Sequence, residues 1–294
     1  MKTILVVGGT GLIGSSIVKS LLINRFKVNI LSRSKVCSKD ERIKYFNYHN
    51  VRDGFENVSH VVFALGSAKP FNMNVTEYID EIQAVENLLE LCSEFNIAKL
   101  IVISSGGAIY GNVKTGAVKE SNKLSPVSFY GYHKIVIEKL IQKSLIPFSI
   151  LRLSNPYGFS FREHLTHGLI NVAINKAIND ETITIFGDGE NIKDYIYIED
   201  FLDSLQCTLN TEENDMILNI GSGYSYSTND ILQKIEIITN IKLKIKYIGK
   251  NINDIKRVCL DITTAEKKLA WKPHISIEQG IKLSYQKLMR KEGL

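Results

Sequence analysis

Cysteine is scarce in this 294-residue chain: Cys37, Cys92, Cys207 and Cys259 stand far apart and form no CxxC pair. That spacing argues against a disulfide framework or a cysteine zinc site and fits a reducing compartment. No window approaches the roughly 18 apolar residues of a membrane span. The N-terminal run Ile4-Leu5-Val6-Val7 is too short for a signal-peptide core and runs into glycines, as a strand feeding a turn does. No block of like charge marks a nucleic-acid arm or a polybasic membrane segment, and the net charge of +5 is spread along the chain. Internal repeats and low-complexity tracts are also missing. The expectation is a cytoplasmic protein with neither nucleic acid nor membrane as a partner. The mild basic excess suits an anionic small ligand, but simple solubility accounts for it as well.

What is present is an α/β rhythm. Short apolar runs at Ile4–Val7, Val28–Leu31, Val61–Leu65, Leu100–Ser104 and Phe148–Leu153 predict buried strands. Between them, Gly14–Ile23, a stretch around Ile79–Phe95, and Tyr130–Lys143 predict helices. In the first of these, Ile13, Ile17, Val18, Leu21 and Leu22 share a face. Uninterrupted strands alternating with amphipathic helices mean a doubly wound parallel sheet, a Rossmann domain, covered on both faces. After Leu153 the rhythm loosens into a smaller C-terminal lobe. The expected division is residues 1–154, with about 193–222 returning, for the first domain. About 155–192 and 223–294 make the smaller lobe.

The stretch VVGGTGLIGSSIV places Gly8, Gly11 and Gly14 directly after the first strand and at the start of the first helix. In a dinucleotide fingerprint the first glycine makes the tight turn, the second admits a pyrophosphate, and the third lets helix and strand pack closely. The helix N-terminus then presents free N–H groups to phosphate. PVSFYGYHK puts Tyr130 and Lys134 four apart on one helix face, with a proline four residues before Tyr130 expected to start the helix. A phenol, which ordinarily ionises near ~10, is a poor acid or base at neutral pH. An ammonium beside it stabilises the phenolate and makes proton exchange with a ketone or hydroxyl practical.

The GxxGxxG spacing with YxxxK resembles the extended short-chain dehydrogenases/reductases. Four further segments in the right order resemble the nucleotide-sugar epimerase/dehydratase/reductase group of that family: LRLSNPYG (151–158), ITIFGDGENIKDYIYIED (183–200), LNIGSGYSYSTNDIL (218–232) and KKLAWKP (267–273). The resemblance implies that Tyr130 is the catalytic acid/base and that Lys134 tunes it and holds the nicotinamide ribose. It implies that Asn155 lies near the sugar and pyrophosphate, that Lys193 stands where an arginine usually grips phosphate, and that Tyr195 belongs to the substrate site. Lys193 keeps the charge but not the bidentate fork, and it could instead be a solvated surface cation. A second family arginine, near the NDIKRVCLD stretch (253–261), is replaced by Asn251. His164 and His167 lack further metal ligands, so no metal is expected. A homodimer is implied by the family.

Three departures discriminate. Where the family has Ser or Thr before its YG pair, this chain has Gly106. Either Ser105 supplies the hydroxyl from a shifted backbone, which is the expectation, or Tyr130 works without a serine partner. The two residues where dehydratases carry Asp-Glu are Gly107 and Ala108, which argues against 4,6-dehydration. Lastly, Arg33 lies 19 residues after Gly14, flanked by Ser32, Ser34 and Lys35, where an NAD-binding carboxylate would fall. An arginine there accommodates a 2′-phosphate, although a plain loop cation is the alternative.

Asn50 likewise replaces an acidic residue expected near the adenine. The expected phosphate-side set is therefore Gly8, Thr10, Gly11, Leu12, Ile13 and Gly14. Ser32, Arg33, Ser34, Asn50, Val51, Ala64 and Lys134 complete the cofactor residues. NADP(H) is preferred, with NAD(H) if the chain is an epimerase. The leading expectation is a nucleotide-sugar 4-ketoreductase. A UDP-hexose 4-epimerase comes second, and a non-catalytic NADP sensor is disfavoured by the intact Tyr–Lys pair.

Overall fold

The computed structural model describes residues 1–33, 38–65, 75–158, 168–249 and 254–292. The chain opens with β1 (Thr3–Val7), α1 (Leu12–Ile23), β2 (Lys27–Leu31), β3 (Ile43–Phe46) and β4 (Val58–Phe63). It continues through α2 (Val75–Glu94), β5 (Lys99–Ser105), α3 (Gly106–Ile109), α4 (Phe129–Lys143), β6 (Phe148–Leu153) and β7 (Asn155–Tyr157). Next come α5 (Leu169–Ile178), β8 (Thr182–Phe186), β9 (Ile192–Tyr197), α6 (Ile198–Asn210) and β10 (Met216–Ile220). The last elements are β11 (Ser225–Ser227), α7 (Thr228–Thr239), β12 (Lys244–Ile248), α8 (Thr263–Leu269) and α9 (Ile277–Glu292).

Seven strands form one sheet in the order β10-β6-β5-β4-β1-β2-β3. The pairings from β3 through β2, β1 and β4 to β5 are parallel. The chain runs outward from β1 to β2 and β3, then returns to lay β4 on the other side of β1. That reversal is the switch point at which Rossmann-like sheets open a ligand crevice beyond their strand ends. The strands form because their side chains are buried on both faces: Ile4, Leu5, Val6, Val61 and Val62 are fully buried.

The chain divides into two compact units. The first comprises Met1–Ser105, Phe129–Arg152 and Gln206–Leu218. Its core gathers Val61, Phe63, Leu100 and Val102 of the sheet with Val85 and Leu88 of α2 and Ile137 and Ile141 of α4. The second comprises Gly106–Ser128, Leu153–Leu205 and Asn219–Leu294. There Ile170 and Ile174 of α5, Ile231 and Ile235 of α7 and Ile281 of α9 share a core with Ile183, Tyr195 and Tyr197. Within it β9 pairs with β7 and β11, and β8 pairs with β12. The KKLAWKP segment is pinned by Trp271, whose Nε1 donates to the Asp200 carbonyl at 3.0 Å.

The structure differs from the expected elements in small ways. β3 was not expected, because IKYF is half-buried and carries no continuous apolar run. The helix α4 begins at Phe129, so Pro126 precedes it by three residues and does not start it. In α1 the buried face is carried by Ile17, Val18 and Leu21, with Ile13 and Leu22 only half-buried. Ser34, Lys35, His164, His167 and Asn251 lie outside the described residues.

Candidate active site

The glycine turn folds on itself. Gly8 has φ +81°, a left-handed conformation that a side chain resists. Its N–H donates to Leu31 O at 2.9 Å and its carbonyl accepts from Gly11 N–H at 3.0 Å. A Cβ on Gly14 would stand 2.0 Å from Gly8 O, so only glycine fits there. Ala64 joins the same spot, its N–H bonded to Val7 O at 2.9 Å and its carbonyl 3.0 Å from where a Gly8 Cβ would lie. Thr10, Leu12 and Ile13 are half-buried around the turn. Gly11 caps α1 without a side-chain hydrogen bond, and the first turn holds no acidic residue. The helix therefore offers its free N–H groups and positive end to an anion. These features fit the pyrophosphate of a dinucleotide.

At the end of β2, Ser32 is buried and its N–H donates to Phe46 O, while Arg33 is exposed. Burial pushes the Tyr48 phenol up, against the opposing pull of Arg33's charge and together with the push of Glu81's. Arg33 and Tyr48 are thus electrostatic neighbours. Asn50 closes a local turn, its Oδ1 accepting from Asn47 N–H at 2.8 Å, and Val51 follows it, packed against the core.

Tyr130 and Lys134 lie together on α4, with the ammonium 5.7 Å from the phenol ring centroid. Tyr130 is half-buried and Lys134 almost wholly so. Lys134 Nζ donates to Leu65 O at 3.2 Å and lies 3.4 Å from Glu81 Oε1. Alongside, Tyr78 of α2 packs its ring on His133 with centroids 4.6 Å apart. Burial drives the His133 imidazole down and the Tyr78 phenol up, so both are held neutral.

The two serines ending β5 point to opposite faces, as strand alternation requires. Ser104 donates its hydroxyl to Glu138 Oε1 at 2.6 Å. Glu138 is also gripped by Arg152, with Nη2 to Oε2 at 2.7 Å. Ser105 is half-buried, and its hydroxyl takes no partner among the described residues.

In the second unit, Asn155 donates Nδ2 to the Asp194 carbonyl at 2.8 Å. A Cβ on Gly107 would meet the Asn155 amide at 3.5 Å, an ordinary contact, so Gly107 lies directly beside that amide. Lys193 is committed to Asp254, Nζ to Oδ1 at 2.8 Å, while Asn191 donates to the other oxygen at 2.7 Å. Tyr195 is 6% exposed and lies within the core. Next to it, the wholly buried Asp194 accepts from Ser222 N–H at 2.8 Å and from Gly223 and Leu260 N–H. Burial pushes its carboxyl up, and the Ser222 and Leu260 N–H groups pull it back. Tyr110 of the YG pair donates to Asn219 of LNIGSG at 2.7 Å. Among the described residues, no three His, Cys, Asp or Glu side chains gather as metal ligands, and no helix is long and apolar enough to cross a membrane.

Sequence reasoning missed Glu81 and Asp254. Glu81 had a legible signal: it falls in step with Tyr78, Val85, Leu88 and Cys92 on the buried stripe of α2. A carboxylate there is out of place unless it has a partner. Asp254 had none beyond its place in NDIKRVCLD.

A family model described as the NAD dependent epimerase/dehydratase family matches residues 4–221. The chain is 31% identical over 304 residues to dTDP-4-dehydro-6-deoxyglucose reductase of Escherichia coli, with 95% of each chain covered. It is 27% identical over 319 residues to UDP-glucose 4-epimerase of Lactobacillus helveticus, with 96% of each covered. Among solved structures, UDP-glucose 4-epimerase of Thermotoga maritima with UDP-glucose matches at a TM-score of 0.89 and 27% identity, covering 99% of each chain. With its glycine turn, its Tyr–Lys pair and its full-length relatives in agreement, the chain belongs to the NAD-dependent epimerase/dehydratase family.

Proposed function

We propose that this protein is an NADPH-dependent ketoreductase of a nucleotide-activated keto-sugar, best matched by a dTDP-4-keto-6-deoxyhexose reduced at carbon 4. Its product would feed surface polysaccharide synthesis. The observation that carries the reading is Arg33, a cation at the end of β2 where a carboxylate would select NAD. A 2′-phosphate fits that cation, and a cofactor drawn from the reduced NADPH pool suits net reduction.

When bound, the cofactor supplies a hydride to the carbonyl carbon. Tyr130 donates its phenolic proton to the oxygen, leaving an alcohol. Lys134 stabilises the phenolate left behind and holds the nicotinamide ribose. Ser105 hydrogen-bonds the carbonyl oxygen in place of the hydroxyl missing at Gly106. Asn155 and Lys193 hold the sugar and the pyrophosphate. Tyr195 backs that site from the core. Exposed Phe129, Tyr132 and Val136 on α4, with Ile79 on α2, form the apolar surface of a homodimer working in the cytoplasm.

A second reading, UDP-hexose 4-epimerase with tightly held NAD, is favoured by relatives such as the Lactobacillus helveticus and Thermotoga maritima proteins. Absorbance at the reduced-nicotinamide band separates the two, with a 4-keto-6-deoxy nucleotide sugar and NADPH or NADH in parallel. Stoichiometric oxidation of NADPH, faster than NADH and lost in Tyr130→Phe, is the expected result. No oxidation of either, with NAD retained through purification, would give first place to the epimerase.

A further inference from the structure

Glu81 occupies a core position on α2, where a carboxylate is costly unless it is partnered. Its side chain is 1% exposed and that of Lys134 is 4% exposed. An ammonium has three donors. One goes to Leu65 O and one faces Glu81 Oε1, so a single N–H is left for the side where Tyr130 lies.

We infer that Glu81 is a positioning residue for the Tyr130–Lys134 pair, locking the ammonium in one orientation and cancelling part of its field at the phenol. The inference rests on the proton-donor role proposed for Tyr130. A bare buried ammonium beside a phenol favours phenolate, which has no proton to give. A reductase needs the phenol protonated when the alkoxide forms. The buried carboxylate makes the lysine site electrically neutral and so favours the proton-donating form, the direction of reduction.

The other groups of this region do not take over that role. On α2, Glu77 is exposed and Tyr78 is held neutral by burial. On α4, His133 is held neutral by burial. From the segment after β3, Tyr48 is likewise raised by burial and feels both Arg33 and Glu81. Lys134 and Glu81 are the two buried charges of this group.

The test is an ultraviolet titration of tyrosinate in the full chain. Subtracting Tyr130→Phe isolates one phenol from the 13 tyrosines. In Glu81→Gln, Tyr130 ionises about one pH unit lower than in wild type. Glu81→Asp keeps the charge and stays close to wild type. The high-pH limb of NADPH oxidation moves down with the Gln variant, which a merely structural role would not produce.

If Glu81→Gln does not fold, Glu81→Ala, which removes the charge and leaves Lys134 in place, is titrated instead. Tyr130 then ionises at lower pH than in wild type. An unmoved ionisation in the folded variant overturns the role of Glu81. The titration needs neither substrate nor cofactor. Retained turnover in Tyr130→Phe would separately overturn the underlying functional reading.

Discussion

Arg152 and Glu138 meet in a buried fork, Nη2 to Oε2 at 2.7 Å, and the same carboxylate takes the hydroxyl of Ser104 at 2.6 Å. The side chains are 4% and 1% exposed. Glu138→Gln leaves the guanidinium buried without its counter-charge and costs about 3–5 kcal/mol. Urea unfolding of the variant checks this. Replacing both residues with apolar side chains of similar size restores much of the loss.

Lys193 is held by Asp254 and stands in the proposed pyrophosphate site. Lys193→Met weakens binding of dTDP by roughly 10- to 150-fold, the worth of a hydrogen bond to a charged group at about 1.5–3 kcal/mol. Lys193→Arg keeps the charge and gains a fork, so it binds at least as well as wild type. Isothermal titration with dTDP reads both.

Arg33 is exposed beside β2. Arg33→Ala raises KM for NADPH roughly tenfold, by losing a charged contact to the 2′-phosphate, and leaves KM for NADH unchanged. Initial rates with the two cofactors measure the split. An equal change for both would make Arg33 a plain loop cation.

His60, 8% exposed on β4, has its ionisation lowered to about 4 by burial, then by Lys2 and Lys99. In the unfolded chain it returns to about 6.5. Between those values the unfolded chain binds a proton that the folded chain refuses. Stability therefore falls as pH drops from about 6.5 to about 4 and loses nothing further from this group below that. The loss is roughly 3 kcal/mol. Denaturant midpoints across that window are expected to flatten in His60→Gln.

The first half of the fold was legible because its strands are unbroken apolar runs and its glycines sit at a strand–helix junction. The Tyr130–Lys134 pair was legible because helical spacing alone brings residues four apart together. Which serine ends up free was harder to read, because Ser104 and Ser105 differ only in the face of β5 they occupy. That is settled by Glu138, more than thirty residues away. Lys99 was invisible as a structural residue. Its Nζ caps the end of α6 through carbonyls of Thr211 and Glu213 at 2.7 and 2.8 Å, a cradle more than a hundred residues distant. Lys193 could be read as a cation, but its partner Asp254 could not.

The contact of Gly14 with the Gly8 carbonyl has a thermodynamic consequence. The loop that would hold the pyrophosphate is braced by its own backbone, within seven residues of chain. Its conformational entropy is surrendered when the chain folds, not when a dinucleotide arrives. Phosphate binding at this turn then carries little ordering cost, and more of the contact energy appears as affinity. Adding one methyl group at Gly14 would reverse that economy.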